Sequence, residues 1–174
     1  MTIIVVMGVS GSGKTTIARQ LAAELGCPML EGDSLHSTQN IQRMRTGQAL
    51  TDDDRREWLA AIAGRIEAAS RDGQTLVVSC SALKRRHREV LRRADPDLVF
   101  VYLTGDKELI HSRLSGRRNH FMSPALLDSQ FEALEEPTAD ENVIRCDVAR
   151  SPPDIAASIL RQLPGSRDEH RTKP

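Results

Sequence analysis

The sequence predicts an α/β fold, a five-stranded parallel sheet with helices on both faces. Three observations predict it. Short apolar runs alternate along the chain with amphipathic helical segments, the pattern of a parallel sheet covered on each side. The first run, Ile3–Met7, carries no polar residue, as a strand buried on both faces requires. That run passes at once into a glycine-rich turn and then a helix, the opening of a βα unit.

Each element has a local reason. Ile17, Leu21 and Leu25 recur four apart over Lys14–Leu25, and Gly26 stops that helix. Pro28–Glu31 reads as a second strand, closed by Gly32-Asp33. Ile41 and Met44 mark a short helix before Gly47. Thr51 followed by Asp52, Asp53 and Asp54 is a helix start, with acids where the helix dipole favours them. Trp58, Ile62 and Ile66 form its apolar stripe, and Gly73 ends it. Thr75–Cys80 is the third strand, 84–93 a short basic helix broken at Asp95-Pro96, and Leu98–Leu103 the fourth strand. Asp106–Ser115 is helical with Leu109, Ile110 and Leu114 inward. Ser123-Pro124 opens a helix through Leu134, since proline is preorganised for the first helical position. Asn142–Cys146 is the fifth strand, and Ser151-Pro152 starts a helix with Ile155, Ile159 and Leu163 on one face.

The 174 residues are one domain's worth, at roughly 100–200 residues per domain. The domain is expected over 1–164, with 165–174 a polar, disordered tail. Lys plus Arg and Asp plus Glu are both 24, so bulk electrostatics do not hold a nucleic acid. One Trp, one Tyr and three Phe are too few for a base-stacking platform. No apolar run approaches the ~18 residues of a membrane span, and no signal-peptide pattern is present. Cys27, Cys80 and Cys146 are isolated and read as reduced thiols, so a cytoplasmic protein is expected.

The strongest chemical signal is Gly8-Val9-Ser10-Gly11-Ser12-Gly13-Lys14-Thr15, which satisfies G-x-x-x-x-G-K-[ST] between a buried strand and an amphipathic helix. Such a loop turns backbone N–H groups, through Thr16, onto phosphate oxygens, and the helix N-terminus adds partial positive charge. Lys14 supplies a cation for the β- and γ-phosphates, and the Thr15 hydroxyl can ligate Mg²⁺. The expected ligand is therefore ATP with Mg²⁺. No D-x-x-G follows the third strand and no N-K-x-D occurs, which disfavours a GTPase switch. The acceptor side needs carboxylates, and Glu31-Gly32-Asp33 closes the second strand at the sheet's carboxyl edge. Residues two apart on an extended chain share a side. On that argument Asp33 is the base or orienting group for an acceptor hydroxyl, and Glu31 holds Mg²⁺ through water.

These segments together carry a resemblance. The G-V-S-G-S-G-K-T loop, then E-G-D-S-L-H, L-T-D-D-D-R-x-x-W-L, C-S-A-L-K and Q-F-x-x-L-E-E-P, resemble the bacterial gluconate kinases of the thermoresistant type, within the shikimate-kinase-like P-loop kinases. The similarity runs over about residues 3–159. It implies a three-layer P-loop kinase fold with strand order 2-3-1-4-5 and phosphorylation of D-gluconate on its 6-hydroxyl by Mg-ATP. It also implies a homodimer as the assembly to look for, although no apolar stripe in the sequence is assignable to an interface.

An anionic polyol needs a cation for its carboxylate and several donors and acceptors for its hydroxyls. His36 lies shortly beyond Asp33. Arg55 stands where shikimate-like kinases keep a carboxylate-binding arginine, or else pairs with Asp52 or Glu31. Ser81 and Lys84 follow the third strand. Lys84 and Arg88 are four apart, so one of them is expected to look into the site, while Arg85 and Arg86 are left to solvent. The resemblance further implies a lid at about 116–123, hinged at Gly116, whose Arg117 and Arg118 arrive with closure to neutralise the transferring phosphoryl group. Arg113 resembles the family arginine that stacks on adenine, and 147–152 would form the other wall of that slot. Two other readings are a kinase for another small metabolite or a nucleoside monophosphate, and a regulatory nucleotide-binding module. Against a monophosphate, Ser34–Asp54 holds only Arg43 and Arg45 beside three consecutive acids.

Overall fold

The structure, a computed structural model, describes residues 1–115 and 125–164. The expected lid with Arg117 and Arg118, and the tail from 165, lie outside the described residues.

Five parallel strands form one sheet in the order β2-β3-β1-β4-β5. They are β1 (Ile3–Met7), β2 (Met29–Glu31), β3 (Leu76–Ser79), β4 (Val99–Thr104) and β5 (Val143–Asp147). The helices are α1 (Lys14–Leu25), α2 (Thr38–Arg45), α3 (Asp52–Arg71), α4 (Arg85–Ala94), α5 (Lys107–Ser115), α6 (Ala125–Ala133) and α7 (Pro152–Leu160). Central β1 pairs Val5 with Val78 on one side and with Phe100 on the other.

Alternation along β1 feeds two cores. Ile3, Val5 and Met7 pack with Trp58, Ile62, Ile66 and Leu91 of α3 and α4. Ile4 and Val6 pack with Ile17 and Leu21 of α1 and with Ile155 and Ile159 of α7. A strand buried on both faces has no position for a polar side chain, which is why this segment is uniformly apolar.

The start of α3 is fixed by a capping box: the Thr51 hydroxyl accepts from the Asp54 N–H, and the Asp54 carboxylate accepts from the Thr51 N–H at 2.8 Å. Asp54 also receives Arg43 at 2.7 Å, and its carbonyl accepts from Asn40 Nδ2 at 2.7 Å. These bonds lock α2 against the first turn of α3.

One local expectation fails. The chain does not stay extended after Glu31 but enters a 3-10 turn over Gly32–Leu35. A Cβ on Gly32 would strike the Ser79 carbonyl oxygen, so only glycine lets β2 turn this close to β3. Glu31 and Asp33 consequently do not share a side in the way an extended segment would dictate.

Candidate active site

The carboxyl edge of the sheet carries two clefts that meet at the 8–15 loop. The loop follows β1, and Gly13 caps α1 in the left-handed conformation (φ 96°) with no side-chain hydrogen bond at the cap. The first helical bond runs from Ile17 N–H to Gly13 O at 3.0 Å. The N–H groups of Lys14, Thr15 and Thr16 therefore lack an intrahelical acceptor and can serve an anion. Lys14 Nζ donates to Val9 O at 3.1 Å, which curls the ammonium back over the loop.

The first cleft, about 190 Å³, is lined by Gly11, Ser12, Gly13 and Thr16 on one side and by Arg113, Val148, Arg150 and Pro152 on the other. The expected stacking residue Arg113 and the wall contributed by 147–152 thus face the phosphate loop across one opening. Its shape and lining suit a nucleotide.

The second cleft is lined by Ser10, Lys14, Asp33, His36, Arg55 and Ser81, with Met44, Leu50 and Gln130. It brings together four of the expected acceptor-side residues, Asp33, His36, Arg55 and Ser81, with Lys14 of the phosphate loop. Its free volume is only about 30 Å³, room for one water molecule, so a six-carbon ligand must displace wall side chains on entering. Arg55 Nη1 donates to Leu50 O at 2.7 Å, and Arg55 makes no ion pair among the described residues. The alternative that it pairs with Asp52 or Glu31 is not realised. His36 is 9% exposed, and its Nδ1 has no hydrogen-bond partner. Burial, reinforced by the charge of Arg55, pushes the imidazole down to about 4, so it is neutral at physiological pH.

Trp58 organises this wall. Its Nε1–H donates to Gly32 O at 2.7 Å, and its ring stacks on His36. The indole thereby holds the turn that carries Asp33 and the ring of His36 at once. Glu31 takes a different position: its Oε1 accepts from Ser79 Oγ, and it is not among the lining residues. Below the site, the thiol of Cys80 is fully buried and pushed up to about 12, first by that burial, with the charges of Asp33 and Glu31 raising it and Lys14 opposing them. Cys80 is an inert core thiol.

Lys84 and Arg88 do not reach the cleft. Lys84 Nζ pairs with Asp52 at 3.1 Å, in a cluster where Arg86 and His87 also meet Asp52. Arg88 is 1% exposed and binds Glu141 through Nε at 2.5 Å and Nη2 at 3.0 Å. Its Nη1 donates to the carbonyls of Ala82 and Leu83 at 3.2 and 3.1 Å. Ala82 is left-handed (φ 41°), an unfavourable state for a non-glycine residue. Arg88 therefore braces the strained turn after Ser81 and is not among the residues that line the cleft. Nor is Arg85 left to solvent alone: it pairs with Asp140 at 2.7 Å and with Glu89 at 3.3 Å.

Gln130 of α6 was not among the expected site residues. Its Oε1 accepts from the Ser10 N–H at 2.6 Å across 120 positions of sequence. Only its place in the Q-F-x-x-L-E-E-P segment could have drawn notice to it.

Known proteins resemble this chain over most of its length. A family model described as an AAA domain matches residues 3–137. The thermoresistant gluconokinase of Escherichia coli (strain K12) is 43% identical over 162 residues, covering 92% of this chain and 93% of that protein. The crystal structure of a gluconokinase from Sinorhizobium meliloti 1021 superposes with a TM-score of 0.83 at 44% identity, covering 91% of this chain and 89% of that one. An unliganded sugar kinase from Janibacter sp. HTCC2649 superposes with a TM-score of 0.88 at 43% identity, covering 92% of each chain.

Proposed function

This chain belongs to the gluconokinase family, and from that premise we propose that it transfers the γ-phosphoryl group of ATP to the 6-hydroxyl of D-gluconate, giving 6-phospho-D-gluconate and ADP. One observation carries the reading. Among the described residues, the buried side-chain polar atoms without a hydrogen-bond partner are Ser12 Oγ and His36 Nδ1. One lines the nucleotide cleft and the other the acceptor cleft. A buried polar atom left unpaired is costly unless a ligand or a shift of the wall satisfies it, and here each orphan belongs to a residue that lines one of the two clefts.

The roles follow from position. The phosphate loop from Gly8 to Thr16 holds the β- and γ-phosphates, with Arg113 against the base. Lys14 lines the acceptor cleft and stands between donor and acceptor, where charge builds on the transferring group. Asp33 accepts the proton of the 6-hydroxyl and orients that oxygen for in-line attack. Arg55, fixed through Leu50 O, pairs with the carboxylate at the other end of gluconate. Neutral His36 and Ser81 bind its intermediate hydroxyls. Mg²⁺, when bound, neutralises charge on the β- and γ-phosphates. The Thr15 hydroxyl and, through water, Glu31 would hold it, a sparse oxygen set of the kind this ion accepts when phosphates supply the rest.

The reading also gives these residues a cytoplasmic setting, since the cleft needs ATP and none of the three thiols is in a disulfide. Among the described residues no helix is long and apolar enough to cross a membrane. A nucleoside monophosphate is disfavoured further because Arg43 is paired with Asp54. The test is an ADP-release assay offering gluconate, shikimate, AMP and water as acceptors. Gluconate alone should support rapid turnover; equal rates with AMP or water would replace this reading with a monophosphate kinase or an ATPase.

A further inference from the structure

The hydrogen bond from Ser10 to Gln130 lies where the two clefts meet. Ser10 and Lys14 are the phosphate-loop residues that line the acceptor cleft, whereas Gly11, Ser12, Gly13 and Thr16 line the nucleotide cleft. The γ-phosphoryl group must cross from one to the other, so Ser10 marks the point of transfer. Gln130 is the residue that α6 contributes to this point, at 2.6 Å from the Ser10 N–H.

An amide side chain carries an acceptor oxygen and an NH₂ donor on one rigid plane. A reacting hydroxyl needs both kinds of partner: its proton goes to a base, and its oxygen must be aimed by a donor. Asp33, acceptor-only when ionised, serves the proton and cannot donate to the oxygen. The acceptor cleft is filled to about 30 Å³, and Gln130 is part of that filling. An entering polyol therefore meets Gln130 as it approaches Ser10.

We propose that Gln130 is a further substrate-contacting residue. Its amide rests on Ser10 in the free protein and hydrogen-bonds the reacting end of the acceptor when the polyol enters. It thus reports acceptor occupancy to the loop that holds the γ-phosphate. This rests on the reading of the second cleft as the gluconate site.

The experiment compares wild type with Gln130→Met, which keeps length and removes both hydrogen-bonding functions, and Gln130→Asn, which keeps the amide but is one methylene too short. Three quantities are read on each: kcat/KM for gluconate, the dissociation constant of a non-hydrolysable ATP analogue, and Tm. Both variants should lose about 10- to 100-fold in kcat/KM for gluconate, the effect of one lost hydrogen bond to a desolvated group. Their analogue affinity should stay within about threefold of wild type. A kcat/KM within threefold of wild type in either folded variant would overturn the proposal. So would a loss matched by an equal loss of analogue affinity, which would make Gln130 a latch on the phosphate loop alone. Absence of gluconate turnover in wild type would instead defeat the underlying assignment of the cleft.

Discussion

The imidazole of His36 lies flat on the indole of Trp58, with ring centroids 4.3 Å apart and planes 11° from parallel. The same indole donates to the carbonyl of Gly32, one residue before Asp33. A single core residue of α3 therefore sets the position of two acceptor-side groups. Trp58 is 2% exposed, so its placement is decided by packing against the sheet and not by ligand.

His36 is held neutral by burial, and this has a stability consequence with a definite sign. Its pKa falls from 6.5 to about 4 on folding. Below pH 6.5 the unfolded chain binds a proton that the folded chain refuses, so stability is fully present above 6.5 and is lost as pH falls towards 4. The loss is of order 3 kcal/mol. His36→Phe keeps a ring on Trp58 and removes the titration. Between pH 7 and 4 the denaturation midpoint of wild type should fall more steeply than that of the variant, so that the difference shifts in the variant's favour; parallel curves would contradict the burial argument. His87 is also lowered, by burial first, and contributes the same sign to both proteins.

Arg55→Lys should not restore a carboxylate site. The guanidinium offers two parallel donors while still bonding Leu50 O, and an ammonium cannot do both. KM for gluconate should rise about 10- to 100-fold, as loss of a charge-assisted bond predicts, with KM for ATP little changed. Initial rates at varied gluconate and at varied ATP separate the two. A selective rise in KM for ATP would move Arg55 to the nucleotide side.

Asp33→Asn preserves shape and removes the base. The expected loss in kcat is at least about a hundredfold, with binding of an ATP analogue retained because Asp33 lines the acceptor cleft alone. A variant keeping most of its kcat would show that another group orients the hydroxyl.

Arg88→Met should act on stability. Removing one partner of a buried pair strands the Glu141 carboxylate and costs about 3–5 kcal/mol. Adding Glu141→Leu should recover much of that loss. Urea unfolding of the single and double variants measures both. A single variant as stable as wild type, with weakened gluconate binding, would return Arg88 to the site.

Much of this architecture was legible because its causes are local. The β1 run, the phosphate loop and the α1 stripe specify themselves over some twenty consecutive positions. So does the start of α3, where Thr51 and Asp54 cap each other. What escaped was set at long range. The turn after Glu31 depends on how closely Gly32 approaches Ser79, 47 positions away, and no spacing rule contains that distance. Lys84 and Arg88 shared a helical face, yet their partners Asp52 and Glu141 lie 32 and 53 positions off. Charge periodicity places a side chain on a face but does not say which acid waits there. Gln130 escaped for the same reason, its role arising only when α6 folds back onto Ser10.

The central claim is the transfer of a phosphoryl group to one oxygen of one acid. Its most direct measurement is phosphorus–proton correlation NMR of the product formed from ATP and gluconate, with ADP quantified in the same sample. The prediction is one ester coupled to the C6 methylene protons, in a one-to-one ratio with ADP. Phosphorus on another carbon, or ADP accumulating with inorganic phosphate and no ester, would contradict it.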